Sequence, residues 1–270
     1  MQGVMLVALA LVIFSLLLII GAITVRGLPA ISWKMLSSVP RGSYSSNEGG
    51  ILNSIIGSFA LAFGATLLAL LLGLPIALYL NAYTRHSRFA YWVRMALDVM
   101  WGIPSLLYGA FAFAIMIGLG LRASLLAGIL TLSVVELPIM ARSMDEVLRI
   151  TPRDLHHGTL ALGATRWELM GILARQALPG LFTAVLLAFG RGFGDAAAVL
   201  FTAGYTDRIP TSLLDPTASL PLTVYFQIST PYAAAQARAY GAALVLTVIV
   251  LAVSIVARIA QARMSAHVVR

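Results

Sequence analysis

The chain has 270 residues, 60% of them apolar and only 10% charged, with eighteen Lys and Arg against ten Asp and Glu for a formal net charge of +8. That composition excludes an ordinary soluble domain and belongs to an all-α integral membrane protein. There is no cysteine, so neither a disulfide framework nor a thiolate metal site exists, and four scattered histidines form no ligand cluster; no metal or cofactor is expected. The positive surplus reads as basic loops facing anionic lipid rather than as a nucleic-acid surface.

In chain order, six runs are apolar and long enough to cross a bilayer core: about 4–25, 55–80, 96–120, 123–141, 181–203 and 238–259. The first has no basic residue ahead of it, is too long for a signal core and is followed by no small-residue cleavage pattern, so it is read as a retained span. Turn chemistry separates the runs: RGSYSSNEGG at 41–50, the basic loop TRHSR at 84–88, Gly118 with Gly120, and TDRIPTSLLDPTASLP at 206–221. Gly102, Pro104 and Gly109 in the third run and Pro138 in the fourth are expected to weaken regular helix, either lining a path or allowing close helix packing.

Six spans put both termini on one side. Sorting Lys and Arg by loop gives eleven on the side of the C-terminus and of the loops after spans two and four, six on the other, and Arg191 within the membrane. The richer side is expected to be cytoplasmic.

The fifth run contains the costliest feature, AFGRGFGDAAAVLFTAG, with Arg191 and Asp195 in hydrocarbon. An intramembrane ionisable residue is a functional-site hypothesis by default. At i, i+4 the two side chains are expected to share a helix face and pair, either for function or to lock neighbouring helices together. A second intramembrane acid, Glu136, lies two residues before Pro138 and is read as an acid satisfied by a neighbouring helix.

The segment 142–180 is the least membrane-like long stretch. Pro152 and Asp154 suit a helix start. Leu155, Thr159 and Leu162 are expected on one face, Gly163 interrupts, and Trp167, Leu169, Met170, Ile172 and Leu173 form a second apolar face before Pro179 and Gly180 open the fifth span. Such a knob suits either a soluble partner or an interfacial linker. No G-x-x-x-x-G-K-[ST] phosphate loop, G-x-S-x-G elbow or H-E-x-x-H pair is present, so the chain is expected to be no enzyme and to hydrolyse no nucleotide itself.

Gly163, with Leu178 and Pro179 after it, resembles the cytoplasmic coupling motif of permeases of ATP-binding-cassette importers, although His157, Gly158 and Thr159 replace its Glu-Ala-Ala. GIPSLLYG (102–109), ARSMDEVLRITPRDL (141–155), LALGATRWE (160–168), LLAFGRGFGDAAAVLFTAG (186–204) and SLPLTVY (219–225) follow in an order similar to the phosphate permeases of the PstA group, over about 49–260. The resemblance implies a type I ABC importer permease fold with six transmembrane helices and a coupling helix. It implies a first helix and external segment at 1–50, a permease core at 51–260 with the coupling loop at about 150–175, and a cytoplasmic tail at 261–270. It also implies a bacterial inner-membrane location and four kinds of partner: a PstC-like sister permease, two PstB-like ATP-binding subunits, a PstS-like phosphate-binding protein and the lipid bilayer.

Carried over residue by residue, the family's translocation-path arginine and acid fall on Arg191 and Asp195, and a cytoplasmic gate on Arg142 with Asp145 or Glu146. ATPase coupling falls on His157, Gly158, Thr159, Gly163, Ala164 and Trp167. A permease for sulfate or molybdate is the nearer alternative. An ATPase-independent channel or secondary transporter is a more distant one, since its inverted repeats and broken half-helices are not apparent in the sequence.

Overall fold

The computed structural model describes residues 1–41, 49–85 and 87–265. Residues 42–48 of the Gly/Ser/Asn-rich segment, His86 of the basic loop and residues 266–270 of the expected tail, Arg270 among them, lie outside the described residues, as do the side chains of Arg153 and Arg263.

The described elements are helical: α1 (Gln2–Gly27), α2 (Trp33–Ser37), α3 (Leu52–Ala82), α4 (Arg88–Gly102), α5 (Ser105–Gly118), α6 (Leu125–Ile150), α7 (Arg153–Ala161), α8 (Arg166–Gly194), α9 (Leu220–Ile228) and α10 (Ala233–Ser265). Five of them, α1, α3, α6, α8 and α10, are long and apolar enough to cross a membrane singly. The third expected span is instead the pair α4 and α5, bent by 94°. Pro104 supplies no N–H and forces Ile103 into extended backbone at ψ 129°, which ends α4 at Gly102. The Tyr108 hydroxyl then donates to the Met100 carbonyl at 2.8 Å, satisfying one of the acceptors that the break exposes. The interruption expected at Gly102 and Pro104 is therefore present, and it is a full break between two helices rather than a weakened one.

Pro138 behaves differently. It is buried inside a continuous α6, as Pro75 lies inside α3 and Pro179 inside α8, because neighbouring helices hold these segments in place. The expected surface helix and fifth span are consequently one helix, α8, running through Pro179 and Gly180.

α3 and α6 form the most extensive interface. Small residues on α3 let the backbones approach: a Cβ at Gly64 would press on Ile129 and one at Gly73 on Met140 and Ala141 of α6. α1 is apolar and exposed along nearly its whole length. Its C-terminal end alone docks on α10, where Arg26 donates to the Tyr240 hydroxyl at 2.7 Å.

α8 stops at Gly194, nine residues before the apolar run does; 195–196 are irregular and residues 197–203 continue as turns. Three glycines in five positions, 190, 192 and 194, lower helix propensity there. Asp195 takes extended backbone and its Oδ1 accepts from the Ala198 N–H at 3.0 Å, starting the turn. This non-helical segment is tolerated because Ala198, Val199, Thr202 and Ala203 are buried in protein. The Thr202 and Asp215 carbonyls accept from the first amides of α6, Ser124 and Leu125, at 2.9 and 2.8 Å.

Candidate functional site

Arg191 projects from the last turn of α8 into an open cleft of about 1280 Å³. Thr183, Leu187 and Gly190 of α8, Trp101 and Ser105 at the α4/α5 elbow, and Ser254 and Arg258 of α10 also line it. Asp195 lies on the same wall. The expected Arg191–Asp195 ion pair does not form: the helix ends between them, so the i, i+4 geometry is lost, and among the described residues Arg191 makes neither hydrogen bond nor ion pair. The guanidinium is thus exposed to the cleft with its five donors unengaged. Ser105 opens α5, whose N-cap position holds Pro104 with no capping side chain, so the positive end of that helix also faces the cleft wall.

The depth of Arg191 follows from its neighbour. Gly192 packs directly on Glu136, near the middle of α6, and a Cβ at Gly192 would overlap Glu136 Oε1. Glu136 is fully buried; its Oε2 accepts from Thr66 Oγ1 on α3 at 2.8 Å, while Oε1 has no hydrogen-bond partner. The expectation of an acid satisfied by a neighbouring helix therefore holds for one oxygen. Gly190 and Gly194, on the cleft side, would meet nothing within 4 Å if given a Cβ. The alternating glycines thus serve two purposes, close packing behind and open space in front. Gly109 belongs with the packing class, because a Cβ there would press on the Ala198 carbonyl.

Toward the C-terminal end of α6 the structure redistributes the contacts of the residues expected to form a gate. Arg142 does contact Asp145, Nη1 to Oδ2 at 3.2 Å, and Glu146 at 3.7 Å, but its shortest ion pair is with Asp98 of α4 at 2.8 Å. The chief partner of Asp145 is Arg94, which binds it through Nε at 2.8 Å and Nη2 at 2.9 Å, with Asn81 of α3 donating a further bond at 2.9 Å. Neither Arg94 nor Asp98 was identifiable in advance, because both lie on α4, remote in sequence from Asp145.

The segment expected to couple forms a helix, a glycine turn and a second helix start, as expected from its sequence. α7 ends at Ala161, Gly163 takes φ +83°, and Thr165 caps α8 reciprocally with Glu168. His157, Gly158 and Gly163 are exposed and Ala164 is partly so. Thr159 is buried, with its hydroxyl donating to the Leu155 carbonyl at 2.7 Å, so it faces inward rather than toward a partner. Leu162 and Trp167 leave the apolar faces expected for them and stand 91% and 73% exposed: Leu162 lies in the turn after α7, and Trp167 lies two residues before the buried Leu169 on α8, about 200° round the helix. His156, beside His157, is held below the usual histidine range by burial, and next by the cations Arg85, His157 and Arg166.

Residues 69–270 match the family described as binding-protein-dependent transport system inner membrane component. The chain is 31% identical over 261 residues to the phosphate transport system permease protein PstA of Haemophilus influenzae, covering 96% of this chain and 92% of that one. The chain belongs to the PstA family of inner-membrane permeases. A second PstA relative, from Xylella fastidiosa strain 9a5c, is 33% identical over 235 residues, 86% of this chain and 81% of the relative. Among solved structures, an inward-facing form of the MetNI methionine ABC transporter superposes with a TM-score of 0.66 at 20% identity, over 82% of this chain and 96% of that chain. PstA-family membership and this superposition together give the type I ABC importer permease fold, multi-pass in the inner membrane. Both relatives are named as permease proteins.

Proposed function

We propose that the chain is one of two transmembrane subunits of an ATP-driven phosphate importer, forming half of the translocation pathway by alternating access. A PstC-like sister permease completes the path, two PstB-like ATP-binding subunits drive it, and a PstS-like protein delivers phosphate from outside. The relatives named as phosphate transport permeases favour phosphate over sulfate or molybdate.

The observation that carries this reading is Arg191, unengaged, one residue from the Gly192–Glu136 contact near the middle of α6 and open to a cleft. Phosphate bears one to two negative charges and cannot cross hydrocarbon unpaired. A guanidinium presents a fork of donors matched to its oxygens. Asp195 on the same wall keeps the site from binding so strongly that it fails to release. The Arg142, Asp145 and Glu146 group, joined by Arg94 and Asp98, serves as the cytoplasmic gate, since it ties α4 to α6 at the inner end of the path. His157, Gly158, Gly163, Ala164 and Trp167, with Leu162, form the knob that seats in an ATPase groove, while Thr159 stiffens α7 from behind.

The test uses a strain lacking its own phosphate permease, supplied with this chain and its partners. Labelled phosphate uptake returns, excess sulfate or molybdate does not compete, and Arg191→Gln abolishes uptake while the complex still assembles. Normal uptake by the Gln variant, or competition by the other oxyanions, would sink the reading.

A further inference from the structure

The cleft that holds Arg191 holds a second cation. Arg258 lies on α10, about one turn beyond Ser254 and two beyond Val250 on the same helix face, and these three line the cavity with Ala257. Among the described residues Arg258 makes neither hydrogen bond nor ion pair, and it is exposed. The single carboxylate on the cleft wall is Asp195, so the lining carries two cations against one anion.

The two arginines stand at different depths. Arg191 is level with the middle of α6 through the Gly192–Glu136 contact. Arg258 is the last residue but one of the candidate span Ala233–Ile259, 25 residues and about 37 Å along α10 from its start. It therefore stands at the end of the span nearer the C-terminus, the side read as cytoplasmic from its content of Arg and Lys.

Resting on the pathway reading above, we infer that Arg258 is a second anion-contacting residue, the inner stop to which Arg191 passes a phosphate-class oxyanion. A charge moving through a low-dielectric path needs successive sites of modest strength, since one deep site would trap it and a bare exit would present a barrier. Arg258 supplies the stop at the exit, and its unengaged fork offers phosphate the same geometry as Arg191 does. The same chemistry is available from a lipid headgroup phosphate, reached by a long side chain extending to the interface.

The complete importer, with sister permease, ATPases and binding protein, is reconstituted in vesicles of phosphatidylcholine alone and of phosphatidylcholine with phosphatidylglycerol. Uptake of labelled phosphate is measured for Arg258→Gln and Arg258→Lys. Arg258→Gln is expected to assemble and to slow uptake about tenfold in both lipids, the size of one lost charge-assisted hydrogen bond, while Arg258→Lys, which keeps the charge but not the fork, loses less. Unchanged uptake by Arg258→Gln, a defect confined to the anionic vesicles, or failure to assemble would each overturn the inference in favour of a neutral, lipid-anchoring or structural role. Arg191→Gln, run alongside, tests the pathway itself: full uptake by that variant removes the underlying reading, whereas its loss with unaffected Arg258→Gln removes only the second stop.

Discussion

Arg94 on α4 holds Asp145 on α6 through two parallel bonds, Nε to Oδ2 at 2.8 Å and Nη2 to Oδ1 at 2.9 Å, with the carboxylate wholly buried. Removing one member of such a pair strands a buried charge. Asp145→Asn is expected to destabilise the protein by about 3 to 5 kcal/mol, and Arg142→Gln by about 1 kcal/mol or less, since its shortest partner, Asp98, is half exposed. Thermal unfolding in detergent measures both. Equal losses would show that Arg142, not Arg94, is the principal partner of Asp145.

Gly192 and Glu136 form the second close relationship. Gly192→Ala is expected to destabilise the α6–α8 contact, because its Cβ would overlap Glu136 Oε1, whereas Gly190→Ala and Gly194→Ala meet open space and fold normally. Combining Gly192→Ala with Glu136→Ala removes the overlap, so the pair should cost less than the two single losses added. Additive costs in a double-mutant cycle would contradict direct contact.

The exposed knob separates folding from coupling. Trp167→Ala, at 73% exposure, is expected to change stability by no more than about 0.5 kcal/mol. Co-purification of the ATP-binding subunits should fall sharply with it. By contrast, Thr165→Ala breaks the capping box with Glu168 and should cost about 1 kcal/mol of α8 stability. Undiminished ATPase recovery with Trp167→Ala would place the docking surface elsewhere.

His156 gives the coupling segment a pH dependence. Its folded pKa is lowered by burial, then by Arg85, His157 and Arg166, so folding favours the neutral ring. The stability it contributes is present above the unfolded value of 6.5 and is lost as pH falls from there toward the folded value. Amide protection factors across α7, corrected for the intrinsic exchange rate at each pH, should therefore fall on acidification below about pH 6.5, and His156→Gln should flatten that dependence. Titration of the ring by NMR should show a midpoint below 6.5, moving upward when Arg166 is replaced by Gln. A midpoint above 6.5 would show that burial and the neighbouring cations do not govern this ring.

The apolar runs already determined that the chain spans a membrane and approximately where. Hydrocarbon demands long apolar helices with satisfied backbones, and composition alone reports that demand. They also marked Arg191, because a charge inside such a run is conspicuous, and Gly163, because a left-handed turn between two helical patterns calls for glycine. Tertiary structure decided the rest. Hydropathy made 181–203 one span, but the glycine cluster and the Asp195 turn end the helix at Gly194 and leave Arg191 unpaired. It kept 96–120 continuous, although Pro104 folds it into two helices at 94°. Arg94 meets Asp145 across 51 positions, and Thr66 meets Glu136 across 70. No local periodicity encodes such pairings, since they exist only where packed helices bring buried polar groups within bonding distance.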